Sequence, residues 1–179
     1  ANIISDLKEA RECLDYEKEL DLSDRIEGRH MRFNYHAINA LLARVYNYAG
    51  EKDSAALHAL KVIEECGLAL ESGNDNDPIL SKEVIVGLNM HELEDNLSDY
   101  FAVSEKLATK YYLNISTLNI IFESVGSESE DIRAKGTAFY RNNEQQNAIS
   151  LKYVDNDNEI IPLIRLSEMY YIACEAVED

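Results

Sequence analysis

Two stretches of helical periodicity, each followed by a glycine, constrain the fold of this chain more than any other feature. Apolar residues recur at helical spacing over residues 34–49 and again over residues 54–66. Gly50 and Gly67 come directly after these stretches, where a left-handed residue commonly caps the end of a helix. The sequence therefore predicts two antiparallel helices joined by a short turn.

The hairpin also contains the spacing of a known repeat unit. Five residues stand at the intervals of a tetratricopeptide unit: Leu42, Ala43, Tyr46, Gly50 and Ala55. In such units small residues allow two helices to approach, while Leu and Tyr fill the groove between them. The pattern predicts that the two helices pack on each other through Leu42, Ala43, Tyr46 and Ala55.

The segment "IPLIRLSEMYYIACEA", residues 161–176, repeats part of that spacing. Pro162 suits the first position of a helix, because its missing N–H needs no partner there. Four residues align with Leu42, Ala43, Tyr46 and Ala49, namely Leu166, Ser167, Tyr170 and Ala173. We expect a helix over residues 162–177, the first of a further hairpin whose second helix lies beyond the given sequence. Arg165 and Glu168 are expected to form a solvent-exposed pair on it.

The composition argues against several kinds of partner and site. With a formal net charge of −17, the chain repels nucleic-acid backbones and anionic membrane surfaces. Cys13, Cys66 and Cys174 are odd in number and far apart in the sequence. We therefore expect them to be buried apolar side chains rather than disulfide partners or metal ligands.

Residues 71–159 differ from the helical parts. The stretches "EVIVGLNM" and "AISLKYV" are typical of strands, and a short helix is expected around residues 116–122. The chain is thus divided into an N-terminal helix with the hairpin (1–70), a loop-rich insertion with short strands (71–159) and the start of a further hairpin (160–179). These parts are expected to form one domain of a longer protein. The predicted fold class is mostly α, an α-superhelix of tetratricopeptide-like hairpins with an irregular insertion.

Two of these segments carry a family resemblance. Together, "RFNYHAINALLARVYNYAGEKDSAALHALKVIEE" and "IPLIRLSEMYYIACEA" resemble the SusD/RagB family of outer-membrane glycan-binding lipoproteins of Gram-negative bacteria. Shorter similarities follow the expected order, in "IISDLKEARECL", "KEVIVGLNM", "EDIRAKGTAF" and "LKYV". The resemblance spans nearly the whole chain and corresponds to a middle portion of such proteins.

The resemblance implies an α-superhelical scaffold with a loop-rich face, on the outer surface of the cell outer membrane. Its implied function is non-catalytic: binding of oligosaccharide and delivery to a SusC-type TonB-dependent transporter. Membrane contact would occur only through an N-terminal lipid anchor that the given sequence does not contain. The hairpin spacing alone leaves an alternative, a cytoplasmic or periplasmic protein-interaction scaffold of tetratricopeptide type.

Candidate site residues come from the aromatic content of the insertion. We find no catalytic, cofactor or metal motif: "HELED" at His91 lacks the second His of a zinc helix, and "DNDNE" at residues 155–159 lacks the Gly of a calcium loop. Four tyrosines are candidates for sugar platforms: Tyr100, Tyr111, Tyr112 and Tyr140. A tyrosine offers a flat apolar face with a hydroxyl at its edge, and packing in the core is the alternative for each of them.

Overall fold

The structure, a computed structural model, describes residues 2–19, 21–24, 26–71, 77–101, 111–122, 131, 138–153 and 159–177. The helices are α1 (Ile3–Cys13), α2 (Tyr35–Tyr48), α3 (Lys52–Glu65), α4 (Leu93–Phe101), α5 (Ile115–Ile121) and α6 (Leu166–Val177). The strands are β1 (Val84–Asn89), β2 (Leu113–Asn114), β3 (Phe139–Asn142), β4 (Asn147–Ser150) and β5 (Ile160–Arg165).

The chain divides into two compact units. The first comprises Ala1–Leu70, Lys82–Asn89 and Ile161–Asp179, and the second comprises Glu71–Ser81 and Met90–Ile160. Helices α1, α2, α3 and α6 belong to the first unit, together with strand β1 and nearly all of β5. The second unit contains α4, α5 and a three-stranded sheet in the order β2-β4-β3.

The predicted fold class is wrong. The described residues form a mixed α/β structure with two small antiparallel sheets, not a mostly helical superhelix. The main error lies at Pro162, which was expected to start a helix and instead lies within β5, so that α6 begins at Leu166. Residues 160–164 include three isoleucines, which favour a strand, and β5 pairs with β1. A two-stranded sheet leaves one edge of each strand unpaired, where a proline is tolerated.

The helical hairpin is confirmed. Helices α2 and α3 pack on each other, and all four expected contact residues are buried: Leu42, Ala43, Tyr46 and Ala55. Ala59 is also fully buried, so small side chains allow the two backbones to approach closely. Helix α6 packs on both helices and buries Leu166, Met169 and Ile172 against them.

An ion pair attaches α6 to α2 in a way that the sequence did not predict. The Glu168 carboxylate accepts from Arg44 Nε at 2.6 Å and from Arg44 Nη2 at 2.7 Å, rather than pairing with Arg165. Arg44 Nη2 also donates to the Leu163 carbonyl at 2.9 Å. The planar guanidinium thus binds a carboxylate in bidentate fashion and a backbone acceptor beside it, which fixes the angle between β5 and α6.

Asn34 connects the start of α2 to β1. Its Oδ1 accepts from the Ala37 N–H at 2.9 Å, which caps the helix. Its Nδ2 donates to the Ile85 carbonyl at 3.1 Å and to the Arg29 carbonyl at the same distance. One buried amide therefore satisfies backbone groups of a helix, a strand and the turn before the helix.

The expectation for the cysteines holds for one of the three. Cys66 is buried, whereas Cys13 on α1 and Cys174 on α6 are exposed, and all three are free thiols. Burial raises the pKa of the Cys66 thiol above its ordinary value. The two exposed cysteines lie on the solvent side of amphipathic helices, where apolar periodicity alone did not separate them from the buried positions.

Of the two glycines that follow helices α2 and α3, Gly67 is the one whose replacement should destabilise the fold more. Its φ of +74° disfavours a side chain, and an added Cβ would overlap the Asp21 carboxylate, which accepts from the Ser23 N–H at 2.7 Å. We expect Gly67→Ala to lower the free energy of unfolding by about 2 kcal/mol. Gly50 is the control, because its φ is +76° and nothing lies within 4 Å of its added Cβ, so Gly50→Ala should cost about 1 kcal/mol. Equal losses in urea unfolding would contradict the steric role of Asp21.

Candidate functional site

An aromatic groove in the second unit is the candidate site. The groove has a volume of about 660 Å³. Its described lining residues are Phe101, Tyr111, Tyr112, Leu113, Phe139, Ala148 and Ser150. They come from the end of α4, from the residues before β2, and from strands β2, β3 and β4.

Strand register explains why the sheet residues share one face. Phe139 is paired with Ser150, and Ala148 is paired both with Arg141 and with Leu113. Paired residues and residues two apart on a strand point to the same face of a sheet. Leu113, Phe139, Ala148 and Ser150 therefore form a continuous floor.

Tyrosines beside this floor remain accessible to solvent. The exposed fraction is 59% for Tyr111 and 60% for Tyr112, so both side chains can contact a ligand from solution. The Tyr111 ring stacks on the Tyr100 ring with centroids 5.7 Å apart, and the Tyr111 N–H donates to the Tyr100 carbonyl at 3.2 Å. Phe101 contacts Tyr111 from a tilted orientation at 5.9 Å. Tyr111 is thus held to the end of α4 by its ring and by its backbone N–H.

The structure brings three of the four predicted tyrosines together. Tyr111 and Tyr112 line the groove, and Tyr100 stacks on Tyr111 but is not among the described lining residues. Tyr140 is paired with Ile149, so it lies on the opposite face of the sheet from the floor residues and does not join them. Sequence reasoning also missed Leu113, Ala148 and Ser150, which become neighbours only through strand pairing.

The groove offers apolar surface with a few hydroxyl groups. Among the described residues that line it, none carries a formal charge, and the polar side-chain groups are the hydroxyls of Ser150 and the two tyrosines. Such a lining binds a ligand through ring faces and a small number of hydrogen bonds. Its described residues include neither an acid–base pair nor a nucleophile with an adjacent base.

The other motifs considered in the sequence do not add a second chemical site. His91 is exposed in the turn before α4, 3.4 Å from Glu159, as expected for a surface position. The "DNDNE" stretch lies outside the described residues except for Glu159. Within the described part of the chain, no group of three or more His, Cys, Asp or Glu residues could hold a metal ion.

Comparison with known proteins gives no independent assignment. No protein-family model matches this sequence, and no curated protein matches it either. Among the helices that the structure describes, none combines the length and apolar character needed to cross a membrane.

Proposed function

We propose that this chain is part of a SusD/RagB-like surface lipoprotein that captures oligosaccharide without catalysis and delivers it to a SusC-type TonB-dependent transporter. The observation that carries the glycan-binding step is the groove with its exposed Tyr111 and Tyr112. The transporter partner and the location on the outer membrane rest on the sequence resemblance described above.

The groove suits the two surfaces of a sugar ring. One face of a pyranose presents C–H groups, which pack on aromatic rings, and its edge presents hydroxyls, which need hydrogen-bond partners. Tyr111 and Tyr112 supply both kinds of contact, and the Ser150 hydroxyl lies among the floor residues. The groove volume of about 660 Å³ is within the usual range of small-ligand sites, roughly 300–1,000 Å³.

The charge of the groove lining and of the whole chain restricts which glycans the groove can bind. The described lining is uncharged, and the chain as a whole has a formal net charge of −17. A polyanionic glycan would be repelled at long range. Arg141 lies on the same face of the sheet, but it donates to Asn119 Oδ1 at 3.3 Å and is not among the described lining residues. The proposed ligand of the groove is therefore a neutral oligosaccharide.

The Tyr100–Tyr111 stack prepares one wall of the groove before a ligand binds. Because the Tyr111 ring is already placed by Tyr100 and by a backbone hydrogen bond, binding loses less side-chain entropy than it would on an isolated tyrosine. This pre-organisation favours Tyr111 over Tyr112 as the stronger sugar contact.

Replacing the exposed tyrosines provides the test. We expect Tyr111→Ala to weaken binding of a neutral oligosaccharide about tenfold, the effect of losing roughly 1.4 kcal/mol of ring contact. Tyr112→Ala should weaken it less. The measurement is isothermal titration calorimetry, with the ligand selected on an array of neutral glycans. Tyr171→Ala is the matched control, because Tyr171 is 68% exposed on α6 and does not line the groove.

Two results would contradict the proposal. If no neutral glycan binds, or if Tyr171→Ala weakens binding as much as Tyr111→Ala, the groove is not a sugar site. Binding of extended peptides instead of glycans would support the protein-interaction alternative. The transporter step is tested separately, by asking whether the complete protein co-purifies with a SusC-type partner from outer membranes.

A further inference from the structure

A second concave site lies in the first unit, between α1, α3 and the start of α2. It has a volume of about 540 Å³. The lining residues that matter chemically are Arg11, Glu12, Asp15, Tyr35, His58 and Lys61. Unlike the aromatic groove, this pocket contains charged groups and a buried imidazole.

Hydrogen bonds fix the protonation pattern of His58. Asn39 is fully buried, and its Nδ2 donates to the Tyr35 carbonyl at 3.0 Å. Its Oδ1 therefore faces His58 Nδ1, at 3.1 Å, and can only accept. In the neutral ring Nδ1 must carry the hydrogen, which leaves the lone pair on Nε2 as the acceptor that His58 can offer to a ligand.

The His58 ring is also held in place by its neighbours. It is buried and stacks on Tyr46 with centroids 5.5 Å apart and an interplanar angle of 8°. Burial and three cations, Arg11, Lys8 and Lys61, lower its pKa to about 4. The imidazole is consequently neutral near pH 7.

The three cations near His58 differ in whether their side chains already contact other residues. Lys8 lies 5.8 Å from the centre of the Tyr46 ring. Lys61 lies 5.8 Å from the centre of the Tyr35 ring and pairs with Glu65 at 3.2 Å. The Arg11 side chain has no hydrogen-bond or ion-pair partner within the described parts of the chain, although it lines the pocket. A guanidinium beside a fixed imidazole is thus left available.

From this arrangement we infer that the pocket binds a small oxyanion of the carboxylate or phosphate class that also carries an O–H group. Arg11 donates to the anionic oxygens, Lys8 and Lys61 add favourable charge, and His58 Nε2 accepts from the ligand O–H. Glu12 and Asp15 also line the pocket and disfavour ligands with several negative charges. This site is independent of the proposed glycan groove.

The test uses inorganic phosphate and glycolate as probes, on the whole chain at constant ionic strength. We expect saturable binding that shifts the His58 Nε2 resonance in nitrogen-15 NMR. Arg11→Gln should weaken binding about tenfold or more, the loss expected for one charge-assisted hydrogen bond. Lys152→Gln is the control, because it removes the same charge from a residue that does not line the pocket.

Lys61→Gln provides a second variant should Arg11→Gln fail to fold, as judged by circular dichroism. Binding of phosphate alone, or of glycolate alone, would identify which oxyanion the pocket prefers and would support the inference in either case. The inference is overturned if neither probe saturates, if the His58 resonances do not respond, or if Lys152→Gln weakens binding as much as Arg11→Gln.

Discussion

Replacing Tyr46 with alanine is expected to lower the free energy of unfolding by roughly 3–5 kcal/mol, the usual loss on truncating a buried aromatic residue. Tyr46 is only 5% exposed and belongs to the core formed by α2, α3 and α6. It also stacks on His58 and lies under the Lys8 ammonium group. The substitution would therefore leave a cavity and remove one face of the stacked pair.

Tyr48, on the same helix, is the matched control for this experiment. It is 96% exposed, so Tyr48→Ala should change stability by less than about 0.5 kcal/mol. Urea unfolding followed by circular dichroism measures both variants. A Tyr46→Ala protein with the midpoint of the wild type would show that this ring does not belong to the core.

The hairpin could be predicted because its signals are local. Apolar spacing, two glycines and small residues all lie within residues 34–67, and each signal agrees with the others. Gly50 and Gly67 adopt the positive φ values that their positions at the helix ends required. No contact with residues far away in the sequence was needed to predict helices rather than strands here.

The fold class could not be predicted because it depends on distant pairing. Residues 160–164 are apolar and come just before a helix, so their pattern alone fits the first turns of that helix as well as a strand. Strand β1, far away in the sequence, provides the partner that makes them a strand. Proline is tolerated both at the start of a helix and in a two-stranded sheet, so Pro162 alone does not distinguish a helix from a strand.

The residues of the two candidate sites could likewise be predicted only in part from the sequence. Composition identified Tyr111 and Tyr112, but only strand register shows that Tyr140 lies on another face. His58 was not predicted as a site residue, because it belongs to none of the motifs identified in the sequence. Its position on the buried face of α3, between Ala55 and Val62, was the available signal that a polar group would need a partner such as Asn39.

His58 should make stability depend on pH in a defined window. Its pKa is lowered from an ordinary 6.5 to about 4 in the folded chain, first by burial and then by Arg11, Lys8 and Lys61. Between these two values the unfolded chain binds a proton that the folded chain does not. The free energy of unfolding should therefore fall as pH decreases from about 6.5 to about 4, by about 3 kcal/mol in total from this residue.

Comparing the pH dependence of the wild type with that of a His58 variant separates the contribution of His58 from that of the carboxylates, including Glu12 and Asp15 in the same pocket. His58→Gln should lose the His58 part of the pH dependence, so the difference from the wild type should shrink as pH decreases through the window and level off below about pH 4. His91→Gln is the control, because the His91 side chain is 83% exposed, and this variant should keep the wild-type slope. Urea midpoints at several pH values provide the measurement. Equal slopes for wild type and His58→Gln would mean that His58 is protonated in the folded chain as readily as in the unfolded one, which would contradict the neutral imidazole inferred from its burial.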